Sequence, residues 1–262
     1  SHPMPEFLQA SIQVLLGIGL LFGGGELFVQ GSVAMAVIFG IPQLVIGLTV
    51  VSLGTSAPEL FVSLSSVLQG ADALAVSNVV GSNIFNVMVV LGSSALVLPL
   101  RVESRLVRRD VPLMIAISAA VWGMASAGRV TWQAGLALLL GLVINTIWEI
   151  RTAREQPDDS GSAEPEISVE ASRGGLIPAS VRLIAGITVL SIGSKVLVNG
   201  AVSAAPLLGV SEAVIGLTIV SAGTSMPELI TSLVAALRGR TDLAIGNVVG
   251  SCLLNLMLVL GV

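Results

Sequence analysis

Eight runs of about 20 largely apolar residues, each bounded by charge or turn residues, constrain this chain more than anything else in its sequence. They lie at 8–38, 43–69, 73–98, 111–127, 131–150, 179–208, 212–237 and 242–262. Helical runs of that length cross a hydrocarbon layer of about 30 Å. Backbone in lipid must satisfy its own hydrogen bonds, so the expected fold class is an all-α polytopic membrane bundle. Composition agrees, with 11% of the 262 residues charged and 54% hydrophobic, whereas a soluble domain carries about a quarter charged. The first run is longer than one straight span needs, and Gly23, Gly24 and Gly25 within it predict a tilt or bend. Cys252, the only cysteine, excludes an intramolecular disulfide and reads as a buried small residue.

Charge sets the expected orientation. Counted from an external N-terminus, the cytoplasmic loops hold Arg101, Arg105, Arg108, Arg109, Arg151, Arg154, Arg173, Arg182, Arg238 and Arg240, ten of the 12 basic residues. Such an excess marks the cytoplasmic side. Segment 152–177 is the one long polar stretch and reads as a flexible cytoplasmic linker. It divides the chain into an N-terminal half, 1–151, and a C-terminal half, 178–262. Trp132 and Trp148 stand 16 residues apart, about 24 Å along a helix, which suits the two membrane interfaces.

The halves are related. Shifted by 169 residues, 17–92 lies over 186–261 without a gap, and 38 of 76 positions are identical. IGLTVVSLGTSAPE at 46–59 matches IGLTIVSAGTSMPE at 215–228, and NVVGSNIFN at 78–86 matches NVVGSCLLN at 247–255. Identity gathers on Gly, Ser, Thr, Pro, Glu and Asn, while the apolar positions drift as packing permits. Five spans precede the second copy, so the copies cross the membrane in opposite directions. Inverted repeats of this kind place a binding site near the midplane, between the halves. Two further spans follow the first copy but not the second. The expectation is therefore eight spans of ten, with a natural eight-span variant as the alternative.

The repeated residues suit a cation. Pro58 and Pro227 interrupt apolar runs and predict helix breaks that free the carbonyls of Gly54 and Gly223. Beside them stand Thr55, Ser56 and Glu59, and in the other copy Thr224, Ser225 and Glu228. Asn78, Ser82 and Asn86, like Asn247, Ser251 and Asn255, are spaced by four and share one helical face. Hard cations such as Na⁺ and Ca²⁺ take oxygen ligands, and two glutamates with hydroxyls, amide oxygens and carbonyls supply such a shell. A membrane-embedded glutamate costs several kcal/mol unless it meets a partner, a cavity or an ion. Glu59 and Glu228 have no evident basic partner in sequence, and their symmetric placement predicts that each serves the other's site. Glu26 and Lys195 occupy equivalent positions of opposite charge and read as a structural pair or as snorkelling ends.

These motifs resemble the α-repeats of the calcium/cation antiporter superfamily, most closely its prokaryotic sodium/calcium exchangers. The resemblance rests on GTSAPE at 54–59 and GTSMPE at 223–228, each followed by Gly-Ser-x-x-x-Asn at 81–86 and 250–255. It implies a ten-helix fold in which helices two, three, seven and eight form the ion site and helices one and six slide against them. It further implies that Glu59 and Glu228 are central calcium carboxylates. By the same resemblance Thr55, Ser56, Thr224, Ser225, Ser82, Ser251, Asn86 and Asn255 would bind sodium or calcium through side chain or backbone. Some exchangers of this family carry aspartate at one position matching Asn86 or Asn255. Here both are neutral, so two formal charges would balance one Ca²⁺ or two Na⁺, and a three-to-one exchange is placed in question.

The function expected is Na⁺/Ca²⁺ antiport by alternating access in the plasma (inner) membrane of a prokaryote. The partners are the two ions and the lipid bilayer, with no cofactor and no nucleic acid. A Ca²⁺/H⁺ antiporter is the alternative, because buried glutamates also carry protons, and a passive channel is a further possibility. An intramembrane hydrolase would need a nucleophile with a base or paired aspartates, and the single histidine, His2, precedes the first span.

Overall fold

A computed structural model describes residues 3–68, 72–100, 102, 104–126, 131–155, 175–204 and 221–261. All regular structure among them is helical. Helix α1 (Pro3–Phe39) is followed by α2 (Gln43–Thr55) and α3 (Ala57–Leu68), then by α4 (Asp72–Phe85) and α5 (Gly92–Val97). Helices α6 (Val111–Ser126) and α7 (Trp132–Glu155) complete the first half. The second half contains α8 (Leu176–Ala204), α9 (Ser221–Thr224), α10 (Met226–Leu237) and α11 (Thr241–Leu254). Among the described residues five helices are long and apolar enough to cross a membrane, and a sixth span arises when bent α2–α3 is taken as one. The eight spans expected from sequence include α6 and α10, which are shorter, at 16 and 12 residues. Residues 156–174 of the expected linker and 212–220 of the seventh run lie outside the described residues.

Helix α1 runs unbroken through Gly23, Gly24 and Gly25, so the glycines do not interrupt it. At about 1.5 Å per residue its 37 residues reach some 55 Å, which leaves tilt or projection to absorb the excess. Its glycines serve close approach instead. A Cβ on Gly17, Gly24 or Gly31 would stand 2.6, 2.8 or 2.7 Å from the backbone nitrogen of Leu197, Leu190 or Leu183 of α8. Gly186, Gly193 and Gly200 are the repeat equivalents, and a Cβ there would come within 2.5 to 2.9 Å of backbone atoms of α1. The two helices therefore lie antiparallel along a seam of glycines spaced by seven, close enough that no side chain fits between the backbones.

Both helix breaks fall where the prolines require them. Helices α2 and α3 diverge by 43° at Ser56, and the same interruption separates α9 from α10 at Ser225. Ser56 (φ −82°, ψ 5°) and Ser225 (φ −89°, ψ 8°) leave the helical region. Pro58 and Pro227 then occupy the first turn of the following helix, where a missing amide hydrogen costs little. Helix α4 passes into a π-helical stretch at Asn86–Leu91, and α11 does so at Asn255–Val259. A further π stretch, Gly47–Val51, lies inside α2.

A charged cluster ties the start of α6 to the end of α7. Glu149 is buried and pairs with both Arg105 and Arg109. Arg109 also contacts Asp110 at 3.1 Å and Asn145 at 2.7 Å, and its guanidinium lies 3.4 Å from the centroid of the Trp148 ring. Trp132, at the other end of α7, is more exposed than Trp148. Glu26 pairs with Arg238 at 2.7 Å and accepts a hydrogen bond from Gln30. Lys195 is exposed, and it is Arg238 that pairs with Glu26, so of the two readings for these positions the structural pair gives way to the snorkelling one.

Candidate ion-binding site

The two broken helices meet at their breaks, each flanked by the opposite copy's motif. Ser56 donates to Glu228 Oε1 at 2.9 Å, and Ser225 donates to Glu59 Oε1 at 2.9 Å. This exchange between positions equivalent under the 169-residue shift gives each glutamate a hydroxyl from the other half. Thr55 Oγ1 donates to Asn247 Oδ1 at 3.0 Å and lies 3.5 Å from Ser251 Oγ. Both glutamates are fully buried, and serine hydroxyls, not cationic side chains, hold their Oε1 atoms.

Of the ten residues expected from sequence, nine are buried and Thr224 is half-buried. Five of their oxygens are buried without a hydrogen-bond partner: Glu59 Oε2, Glu228 Oε2, Ser82 Oγ, Asn86 Oδ1 and Asn255 Oδ1. A buried polar atom without a partner costs about 1–3 kcal/mol, more when charged. All five carry lone pairs of the kind that hard cations take as ligands. Among the described residues no cluster of three or more His, Cys, Asp or Glu side chains exists. The shell on offer is two carboxylates with hydroxyls and amides.

Other repeated polar residues hold this arrangement together. Asn78 donates to Ser63 Oγ at 3.0 Å and to the Glu59 carbonyl at 3.4 Å, while Asn247 donates to Ser232 Oγ at 2.8 Å and to the Glu228 carbonyl at 3.3 Å. Each asparagine thus fastens the third span of its copy to the glutamate helix. Ser63 and Ser232 are identical under the repeat shift, a signal sufficient to find them. The carbonyl of Gly223, expected to be free, accepts a hydrogen bond from Ser194 of α8. The equivalent position in α1 is Gly25, so nothing in the repeat pointed to that bond. Asn83 is another residue that sequence reading missed. It contacts Cys252 and Asn255 of the opposite half, and only the mismatch of Asn with Cys inside otherwise matching motifs marked it.

Crossed inverted repeats around two broken helices define the architecture of a membrane transporter. The profile of the family described as sodium/calcium exchanger protein matches residues 10–151 and 179–262. The inner membrane protein YrbG of Escherichia coli is 34% identical over 97% of this chain and 79% of its own length. The sodium/calcium exchanger MaX1 of Methanosarcina acetivorans is 30% identical over 95% of this chain and 80% of its own. Among solved structures, the sodium-calcium exchanger NCX_Mj soaked in sodium without calcium superposes with a TM-score of 0.81 at 33% identity. That match covers 97% of this chain and 82% of the exchanger. The chain belongs to the sodium/calcium exchanger family. It is a multi-pass membrane protein built as a transporter.

Proposed function

We propose that the protein exchanges Na⁺ for Ca²⁺ across the membrane by alternating access at one central site. The carrying observation is the set of five buried oxygens without partners, two of them glutamate oxygens, at the junction of the inverted repeats. Glu59 and Glu228 are assigned the calcium charge, and two carboxylates neutralise one Ca²⁺ or two Na⁺. Thr55, Ser56, Ser82 and Asn86 from one half, with Thr224, Ser225, Ser251 and Asn255 from the other, complete the oxygen shell. Competition is intrinsic to such a site, because either ion needs the same carboxylates. Ser56 and Ser225 hold one oxygen of each carboxylate and leave the other for the ion.

The glycine seam between α1 and α8 supports the conformational part of the cycle. Its backbone-to-backbone contacts join α1 and α8 closely enough for the two helices to move as one unit against the site. The test is calcium uptake by the intact protein in proteoliposomes under an imposed sodium gradient. Uptake that follows the sodium gradient is expected. Uptake driven by a pH gradient in sodium-free medium, and indifferent to sodium, would overturn the reading in favour of proton exchange.

A further inference from the structure

The third spans of the two copies touch at positions 83 and 252, which the repeat makes equivalent. Asn83 Nδ2 donates to the Cys252 carbonyl at 3.2 Å, and the Cys252 thiol reaches the Asn83 carbonyl at 4.0 Å. A carbonyl can only accept, so this contact fixes which end of the Asn83 amide is nitrogen. The other end, Oδ1, accepts from Asn255 Nδ2 at 3.1 Å. Asn255 is therefore fixed in turn: its nitrogen points at Asn83, and its Oδ1 is buried with no partner.

The mirror-image step fails in the other half. Where Asn83 would recur, Cys252 offers a thiol, a weak acceptor, and both amide atoms of Asn86 lack a hydrogen-bond partner. The distinction matters to a hard cation, which is bound by an amide oxygen and repelled by an amide NH₂ group. Two asparagines that are identical in the repeat are thus unequal in the folded chain.

Resting on the cation-site reading above, we propose that Asn83 is a positioning residue that locks the Asn255 amide as an oxygen ligand for the transported cation. Cys252, a weak acceptor beside the Asn86 amide, holds it less firmly. One half of the site presents a fixed ligand and the other an adjustable one, so the pseudo-symmetric site is chemically lopsided.

Asn83→Cys tests this, because the fold already holds cysteine at the equivalent position. In sodium-driven calcium uptake by the intact protein, half-saturating Ca²⁺ should rise about tenfold, the loss of one oriented hydrogen-bonding group, while the saturated rate stays within about twofold. Rescue separates orientation from packing. In the Asn255→Asp background both terminal atoms are oxygens and no orientation is needed, so adding Asn83→Cys should shift half-saturation by less than about twofold. Cys252→Ala should likewise leave it nearly unchanged. Should Asn83→Cys yield too little folded protein, Asn83→Ala read by calcium protection against thermal unfolding in detergent makes the same comparison. Equal half-saturation in wild type and Asn83→Cys, or an undiminished loss in the Asn255→Asp background, overturns the proposal. A wild-type protein without sodium-dependent calcium uptake would instead overturn the functional reading beneath it.

Discussion

The third spans of the two copies share most of their sequence and differ sharply in surroundings. The most apolar stretch of Thr241–Val259 is 89% buried, and that of Ala75–Val97 only 28%. Val249, Leu253 and Met257 are buried, whereas their equivalents Val80, Ile84 and Met88 are exposed, Met88 to 72%. Helix α11 packs along α2, and α6 and α7 lie against it and its π-helical continuation. Among the described residues no element covers the matching face of α4 to that extent. The ligand positions ignore this difference: Ser82 and Asn86 are as buried as Ser251 and Asn255. The site is therefore enclosed by the crossed repeats themselves, and the flanking helices act on stability more than on chemistry.

The largest expected effects fall where the halves agree. Glu59→Gln and Glu228→Gln should each nearly abolish calcium transport, since either change removes half the site's charge. Normal flux in one mutant alone would show that only one half carries the ion. Next come effects where the halves differ. Met257→Ala should cost about 2–5 kcal/mol through an unfilled cavity, and Met88→Ala less than about 0.5 kcal/mol. Thermal unfolding in detergent would compare them, and equal losses would mean that the exposed face is covered in the working protein. The smallest effect separates the two breaks. Ser194→Ala removes the hydroxyl that holds the Gly223 carbonyl and should cost about 1 kcal/mol. The reverse change, Gly25→Ser, gains nothing, because a Cβ there would stand 2.9 Å from Ile230 Cγ2. Measured stability of the two variants checks both signs.

Much of this was legible in sequence because repetition filters polar residues. An apolar position tolerates many substitutions, so polar identity across 169 residues singled out Glu59, Glu228 and the hydroxyls around them. The helix breaks were legible from Pro58 and Pro227, although each break falls two residues earlier, at the serine that supplies a hydroxyl to the opposite glutamate. What stayed hidden was which helices face one another. Glu26 was matched with its repeat equivalent Lys195, yet Arg238 at the end of α10 is the residue within reach. Glu149 gave no signal in its own run, since its partners Arg105 and Arg109 had been counted only as marks of the cytoplasmic side. Gly23, Gly24 and Gly25 suggested a bend because a glycine run reads the same whether it loosens a helix or admits a neighbour. Periodicity describes one helix at a time, and these contacts belong to pairs.

The π-helical stretches at Asn86 and Asn255 also have a bearing on the repeat. A π turn holds about one residue more than an α turn, so an insertion into an α-helix would produce one. A residue gained after the two copies had separated would stand in one of them alone and break the gap-free match of 17–92 with 186–261. Both copies begin the widened turn at the same asparagine. The widened turn is therefore a property of the repeat itself, and each half of the site is built on it in the same register.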